Sequence, residues 1–158
     1  MFVLRFDLRI PPFVESLTHG DQYREFLKMV EWADDKGFAA VVLSEHHGTE
    51  DGYMNSPLLL AGSVLGATNN LFCSVSALLL PLHDQLRIAE EIATIDLIAP
   101  GRFNVVIGIG YRESEFEMID KNRKSRGRDT DEAIRTILTA LKGEPFEYKG
   151  REVLISPK

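Results

Sequence analysis

A strand followed by a helix recurs along this chain at a nearly constant interval, and this repeat constrains the fold more than any other feature. The predicted strands begin near residues 3, 39, 72 and 103, so successive starts are 36, 33 and 31 residues apart. A repeating unit of one strand and one helix is the βα unit of a parallel α/β fold. Two architectures contain such units in series: an open, doubly wound sheet and part of a (β/α)₈ barrel.

The spacing of apolar residues defines the elements of this repeat. Residues 21–36 carry apolar side chains three and four apart, which predicts an amphipathic helix that ends at Gly37. Residues 39–43 are apolar without alternation, as in a strand buried on both faces of a parallel sheet. The same criteria predict strands over 2–10, 72–80 and 103–108, helices over 56–68, 84–98 and 130–142, a Glu-rich turn and a basic loop before the last helix, and a hairpin over 144–155.

Composition excludes several classes of protein. The 158 residues, 44% of them hydrophobic, suffice for one domain with a core. With 18 Lys and Arg against 24 Asp and Glu, the net charge of −6 provides no attraction to nucleic acids or anionic membranes. Cys73 is the single cysteine, which rules out a disulfide framework and a Cys-rich zinc site. No apolar stretch is long enough to span a bilayer, and Arg5 and Asp7 interrupt the N-terminal apolar residues that a signal peptide would need. We therefore expect a cytoplasmic protein.

The segment Ser44-Glu45-His46-His47 follows the second predicted strand directly. In both architectures the carboxyl ends of parallel strands face the ligand crevice, where a histidine can serve as acid, base or hydrogen-bond partner. An extended backbone sends His46 and His47 in opposite directions, and no other histidine or cysteine nearby in the sequence completes a metal set. We therefore predict no metal site. The alternative, two loop histidines held by backbone carbonyls, stays open.

Two further segments have small residues at strand positions. In Ile107-Gly108-Ile109-Gly110-Tyr111, alternate glycines at a strand end let the backbone approach a flat ligand, although a tight turn explains them equally well. Glu113 occupies the third glycine position of a dinucleotide fingerprint, so that motif is absent. Ser76-Ala77 interrupts an otherwise bulky strand, and the residues alone indicate only core packing there. The basic run 121–128 is typical of an exposed loop, with a phosphate contact as the alternative.

Several motifs, in order and spread over most of the chain, together resemble one known family. They are Gly37-Phe38, Leu43-Ser44-Glu45-His46-His47, Pro57, Leu59-Leu60-Ala61-Gly62, Gly66-Ala67-Thr68, Leu80-Pro81-Leu82-His83-Asp84, Arg87, Ala89-Glu90-Glu91-Ile92-Ala93, Asp96-Leu97, Gly101-Arg102-Phe103, Gly108-Ile109-Gly110-Tyr111, Glu115-Phe116, and Gly143-Glu144-Pro145-Phe146 with Tyr148 and Gly150. The family is that of the bacterial luciferase-like monooxygenases, (β/α)₈ barrels of the TIM type that depend on a flavin or a deazaflavin.

The resemblance implies roles for six residues. The active-site histidine of the family, beside the reactive edge of the flavin, falls on His46. A non-prolyl cis peptide that packs against the isoalloxazine ring falls on Ser76 and Ala77. The small residue that supports the polar edge of the ring falls on Gly108, with Ile109 and Gly110 beside it.

The resemblance also implies the extent of the domain and its activity. Family members are about twice as long, so residues 1–158 correspond to the N-terminal half of the barrel, its first four βα units plus a C-terminal hairpin. The implied cofactor is FMN, with coenzyme F420 as the alternative. The implied reaction oxidises a small organic substrate with reduced flavin and oxygen, and a flavin reductase is a candidate electron donor.

Two other functions are compatible with the same residues. A half barrel leaves sheet edges uncovered, which predicts a homo-oligomer or a complementing C-terminal half, and the chain would then be a non-catalytic flavin-binding or structural subunit. An unrelated barrel lyase or hydrolase that uses Glu45 and His46 is the third hypothesis. Flavin absorbance of the purified protein distinguishes the monooxygenase and the flavin-binding subunit from the lyase or hydrolase.

Overall fold

A single parallel sheet of four strands, in the order β1-β2-β3-β4, forms the centre of the computed structural model, which describes residues 1–156. Pro157 and Lys158, the last positions of the predicted half barrel, lie outside the described residues. The strands are β1 (Val3–Phe6), β2 (Ala40–Leu43), β3 (Phe72–Leu79) and β4 (Phe103–Gly108), followed by the hairpin strands β5 (Phe146–Tyr148) and β6 (Arg151–Val153). The helices are α1 (His19–Asp35), α2 (Pro57–Ala67), α3 (Gln85–Ile98), α4 (Glu113–Met118) and α5 (Arg126–Ala140).

Strand order decides between the two architectures that the repeat allows. Each strand pairs in parallel with its neighbour in sequence, and α1, α2, α3 and α5 contact one another in turn along one face of the sheet. A doubly wound sheet reverses its strand order and carries helices on both faces, whereas a barrel does neither. The arrangement is that of consecutive (β/α) barrel units. Within residues 1–156 the sheet remains open, with β1 and β4 as its edges.

The hydrophobic core lies between the sheet and the helices. In β2, Val41 and Leu43 are fully buried against the helices, whereas Val42 faces the other side and is only half-buried. The predicted burial of this strand on both faces is therefore wrong. Val42 pairs with Arg5 on one side and Ser74 on the other.

Helix α2 is the most apolar of the helices because it packs between its neighbours and β3. Its buried side chains include Leu58, Val64 and Leu65, while Leu59 on the opposite side is exposed. The helix has 11 residues, about half the length needed to cross a bilayer. None of the helices in residues 1–156 is both long and apolar enough to do so.

Several boundaries differ from the predicted ones for local reasons. Strand β1 stops at Phe6 because Leu8 adopts a left-handed backbone conformation with φ of 55°. The predicted Glu-rich turn is helix α4, and α5 begins at Arg126, inside the predicted basic loop. In the hairpin, Lys149 and Gly150 both have positive φ, which makes a two-residue turn between β5 and β6.

A buried carboxylate joins the end of α1 to the start of β3. The side chain of Asp34 accepts hydrogen bonds from the backbone N–H groups of Asn69, Asn70 and Leu71 at 2.7, 2.9 and 2.8 Å. Burial by itself raises the pKa of Asp34, but these three donors outweigh it and the pKa is lowered. The carboxylate therefore stabilises the folded state in its ionised form.

Replacing Asp34 with alanine is expected to lower the free energy of unfolding by about 3 kcal/mol at pH 7, because three backbone donors lose their acceptor. Since the folded pKa is the lower one, this stabilisation is complete above the unfolded value of about 4 and disappears as the pH falls through the folded pKa. Urea denaturation of the two proteins at pH 7 and pH 3 measures the difference. The exposed neighbour gives a control, Asp35→Ala, which should change stability by no more than about 0.5 kcal/mol. Equal stability of the wild type and Asp34→Ala at pH 7 would refute the assignment.

Candidate active site

The carboxyl ends of the strands surround a cleft of about 380 Å³. A larger cavity, of about 600 Å³, is lined mainly by α2 and α3 and contains none of the predicted site residues. The smaller cleft brings together all six of them, although they come from three separate βα units. They are His46, Ser76, Ala77, Gly108, Ile109 and Gly110.

The floor of the cleft is made by β3 and β4. A non-prolyl cis peptide bond joins Ser76 to Ala77, as the resemblance implies, and the pairing register between β3 and β4 shifts at this point. A Cβ atom at Gly108 would lie 2.9 Å from the Cβ of Ala77 and 3.3 Å from a methyl carbon of Leu79. Only glycine therefore lets β4 approach the cis peptide this closely.

Gly110 is required for a different reason. Its φ is 69°, and a Cβ there would lie 2.9 Å from a ring carbon of Phe116, which is buried in α4. The second glycine therefore lets the chain turn from β4 towards α4 while the cleft wall stays close to the backbone.

His46 is held by a carboxylate from α4. Its Nδ1 lies 2.8 Å from Oε1 of Glu115, and the same oxygen accepts the backbone N–H of His47 at 3.1 Å. Because Oε1 is already an acceptor, the shared proton belongs to Nδ1 of His46. Nε2 is then the ring nitrogen available to a ligand. The ring of Tyr53 packs edge-on against His46, with centroids 4.7 Å apart, and limits its rotation.

Glu115 is a site residue for which the sequence pattern alone predicts no role. It is 1% exposed, and its Oε2 has no hydrogen-bond partner within the described chain. The sequence gives no signal for this burial, because glutamate is rarely fully buried unless it is paired. The Glu-rich composition predicts a turn here, and a turn would leave this carboxylate in solvent.

Two arginines that the sequence does not place at the site also line the cleft. Arg5 extends from β1 on the face away from the helices, and Arg126 begins α5. The basic run is predicted to be an exposed loop, with a phosphate contact as the alternative. In the structure, Arg126 from this run lines the cleft. The positive charges of the two side chains favour an anionic group in a bound ligand.

A second cluster lies behind His46. His47 points the other way, as predicted, and its Nε2 lies 2.8 Å from Oε1 of Glu45, which also accepts from Nε2 of His83 at 2.6 Å. Oε2 of Glu45 accepts the backbone N–H of Leu79 at 2.6 Å. Burial raises the pKa of Glu45, but these hydrogen bonds lower it to about 2, and the bond to Glu45 raises the pKa of His47.

This cluster corrects one expectation. The sequence places no third ligand near His47, yet folding brings His83, which follows the carboxyl end of β3, to the same carboxylate. Glu45 does not pair with His46, because its oxygens already accept three hydrogen bonds. A lyase or hydrolase site built on Glu45 and His46 is therefore not supported by this geometry.

Residues 4–157 match the family model described as luciferase-like monooxygenase. Among curated proteins, the alkanal monooxygenase beta chain of Aliivibrio fischeri is 35% identical over 106 residues, which cover 66% of this chain and 32% of that protein. An uncharacterised protein of Sinorhizobium fredii is 28% identical over 134 residues, covering 85% of this chain and 38% of its own length.

Solved structures share the fold. The oxygenating constituent of 3,6-diketocamphane monooxygenase from Pseudomonas putida, in complex with FMN, superimposes with a TM-score of 0.82 at 23% identity, over 99% of this chain and 43% of that one. The chain thus spans half or less of the length of the proteins it matches.

Proposed function

This chain belongs to the luciferase-like monooxygenase family, and from that premise we propose that its cleft binds a flavin and that the protein oxidises a small organic substrate with reduced flavin and oxygen. One observation carries the proposal. The cleft joins His46, held by Glu115, to a floor made of the Ser76–Ala77 cis peptide and Gly108. The small-molecule substrate enters the same cleft, and we place the reaction in the cytoplasm, where a single unpaired cysteine is ordinary.

The cleft residues fit a flat, anionic ligand. Ser76, Ala77 and Gly108 have no bulky side chain, so a ring system can lie close to the backbone. Ile109 and Gly110 continue this surface beyond the end of β4. Arg126 is the candidate partner for a phosphate group, because its positively charged side chain lines the cleft at the start of α5.

We propose FMN as the cofactor. The diketocamphane monooxygenase of similar fold holds FMN, while an F420-dependent secondary alcohol dehydrogenase, with a TM-score of 0.72 at 18% identity, makes coenzyme F420 the alternative. Bound reduced flavin supplies the electrons that reduce oxygen, and a flavin reductase is the proposed source of those electrons. Separate titrations with the two cofactors distinguish them.

Among the side chains around the proposed flavin position, His46 would transfer protons. His46 holds its Nδ1 proton towards Glu115, so Nε2 accepts a proton from a group in the cleft or, in the imidazolium form, returns one. Glu115 fixes the orientation of the ring. Tyr53 is held in turn by a hydrogen bond of 2.7 Å between its hydroxyl and that of Ser44. The chain thereby presents one oriented proton carrier.

We also propose that the uncovered sheet is completed by a partner. The edges at β1 and β4 carry exposed apolar side chains, among them Val3 and Val106. Such edges favour pairing with further strands, from a second copy or from a separate C-terminal half. This observation also favours the second candidate function, a non-catalytic flavin-binding or structural subunit. Light scattering that finds a monomer with flavin bound would contradict the need for a partner.

The catalytic proposal is tested by oxidation of reduced FMN. Anaerobically reduced FMN is mixed with the protein and then with oxygenated buffer, with and without candidate aldehydes and ketones. We expect the protein to change the rate of flavin oxidation and one substrate class to yield an oxygenated product. If flavin binds but oxidises at the rate of free flavin with every substrate, the chain is the non-catalytic subunit.

A further inference from the structure

A buried carboxylate and two imidazoles converge beside the proposed flavin cleft, to whose wall Glu45 also contributes. One ligand atom from each of Glu45, His47 and His83 lies within 4.8 Å of the other two. We propose that these three residues bind one zinc-like divalent transition-metal ion, which would link the carboxyl ends of β2 and β3. This site is independent of the proposed flavin function, since it needs neither flavin nor substrate.

The donor set suits such an ion. Two imidazole nitrogens and one carboxylate oxygen are the ligands of many open zinc sites, and first-row ions from cobalt to zinc favour imidazole. Each imidazole would bind through the lone pair of Nε2, which gives up the proton it now donates to Glu45 and leaves the ring proton on Nδ1. Both rings already direct Nε2 at the same oxygen of Glu45.

The spacing requires only a small adjustment. Nε2 of His47 and of His83 lie 2.8 and 2.6 Å from Oε1 of Glu45. Around a tetrahedral zinc ion, with bonds of about 2.0–2.2 Å, ligand atoms lie about 3.3 Å apart. The two nitrogens would therefore retreat from Oε1 by roughly 0.5 and 0.7 Å, and their own separation, at most 4.8 Å, would settle at about the same 3.3 Å.

The charge of the site favours a cation. The carboxylate of Glu45 is fully buried, and within residues 1–156 no lysine or arginine forms an ion pair with it. A buried carboxylate without a fixed counter-charge is costly. A divalent ion would supply that charge permanently.

The protein also holds the ligands in place and leaves an open position. Oε2 of Glu45 accepts the backbone N–H of Leu79, and the backbone N–H of His47 is held by Glu115, so the supporting contacts resemble the outer shell of a metal site. The side chains of His47 and His83 are 12% and 25% exposed, which leaves room for water as a fourth ligand.

Metal uptake by the chelator-treated chain tests the proposal. We expect isothermal titration with ZnCl₂ to show one ion per chain, and Co²⁺ to give the intense visible absorption of a four- or five-coordinate site. The variants His83→Gln and His47→Gln should each weaken binding at least tenfold. Zinc at 100 times its dissociation constant should raise the melting temperature of the wild type by about 5–10 °C.

The matched control is His19→Gln, which removes an exposed histidine on α1 and should bind zinc as the wild type does. The melting shift is measured on the wild type, so the proposal remains testable if a variant fails to fold. Absence of zinc uptake by the wild type, or equal affinity in His83→Gln and His19→Gln, would overturn it. Loss of flavin binding without loss of zinc binding would count against the proposed function alone.

Discussion

Replacing His46 with alanine is expected to lower the rate of substrate oxidation by a factor of about 10²–10⁴, the usual contribution of a positioned acid or base. The affinity for flavin should change by no more than about threefold, because the floor of the cleft at Ser76, Ala77 and Gly108 is untouched. The physical reason is that alanine removes the Nε2 that faces the ligand while Glu115 keeps its bond to the backbone of His47. Turnover and flavin affinity are measured separately, by product formation and by fluorescence titration.

The control for this substitution is His19→Ala, which removes an exposed histidine at the start of α1 that does not line the cleft and should leave both quantities unchanged. Glu115→Gln gives a graded test, because the amide keeps an acceptor oxygen for Nδ1 of His46 but an uncharged one, which makes a weaker hydrogen bond. We expect it to lower turnover less than His46→Ala does. Equal loss of turnover and flavin affinity in His46→Ala, or loss of neither, would contradict the role of His46.

The second large effect is expected at the floor of the cleft. Replacing Gly108 with valine places a Cβ 2.9 Å from the Cβ of Ala77, so β4 or the Ser76–Ala77 segment must move into the volume proposed for the flavin ring. We expect the flavin dissociation constant to rise about 100-fold, which corresponds to about 2.7 kcal/mol. Turnover at saturating flavin should fall much less, since His46 and Glu115 stay in place.

Gly66→Val is the matched control, because it adds the same three carbons at an exposed helical glycine where an added Cβ would have no neighbouring atom within 4 Å. It should leave flavin affinity unchanged and change stability by no more than about 0.5 kcal/mol. Gly108→Ala, with a smaller addition at the crowded position, should fall between the two. Identical flavin affinity in Gly108→Val and Gly66→Val would show that the ring does not lie on Gly108.

Much of this fold follows from local patterns in the sequence. The apolar spacing that defines α1 and the terminators around it depends only on neighbouring residues, and β4 has the predicted bounds. The choice between an open sheet and barrel units depends on which strands pair, and nothing local encodes that. The early end of β1 was also not predictable, since Leu8 with φ of 55° is an unusual residue for that conformation.

The same contrast between local patterns and long-range contacts holds for the residues of the site. Residues at the ends of strands, such as His46 and Gly108, were predictable because parallel strands bring their carboxyl ends together. The partners that orient them were not. Glu115 lies 69 residues from His46 and His83 lies 38 from Glu45, and both contacts depend on how helices and turns pack after the strands are in place. Hydrophobic periodicity carries no information about such pairs.

The central claim is that the cleft at the ends of β2, β3 and β4 binds a flavin. The most direct measurement is a titration of the purified protein with FMN, followed by flavin fluorescence and visible absorbance. We predict saturable binding by the wild type and by His46→Ala, and greatly weakened binding by Gly108→Val. No saturable change with the wild type, either alone or with a complementing C-terminal half, or equal binding by the wild type and Gly108→Val, would contradict the claim.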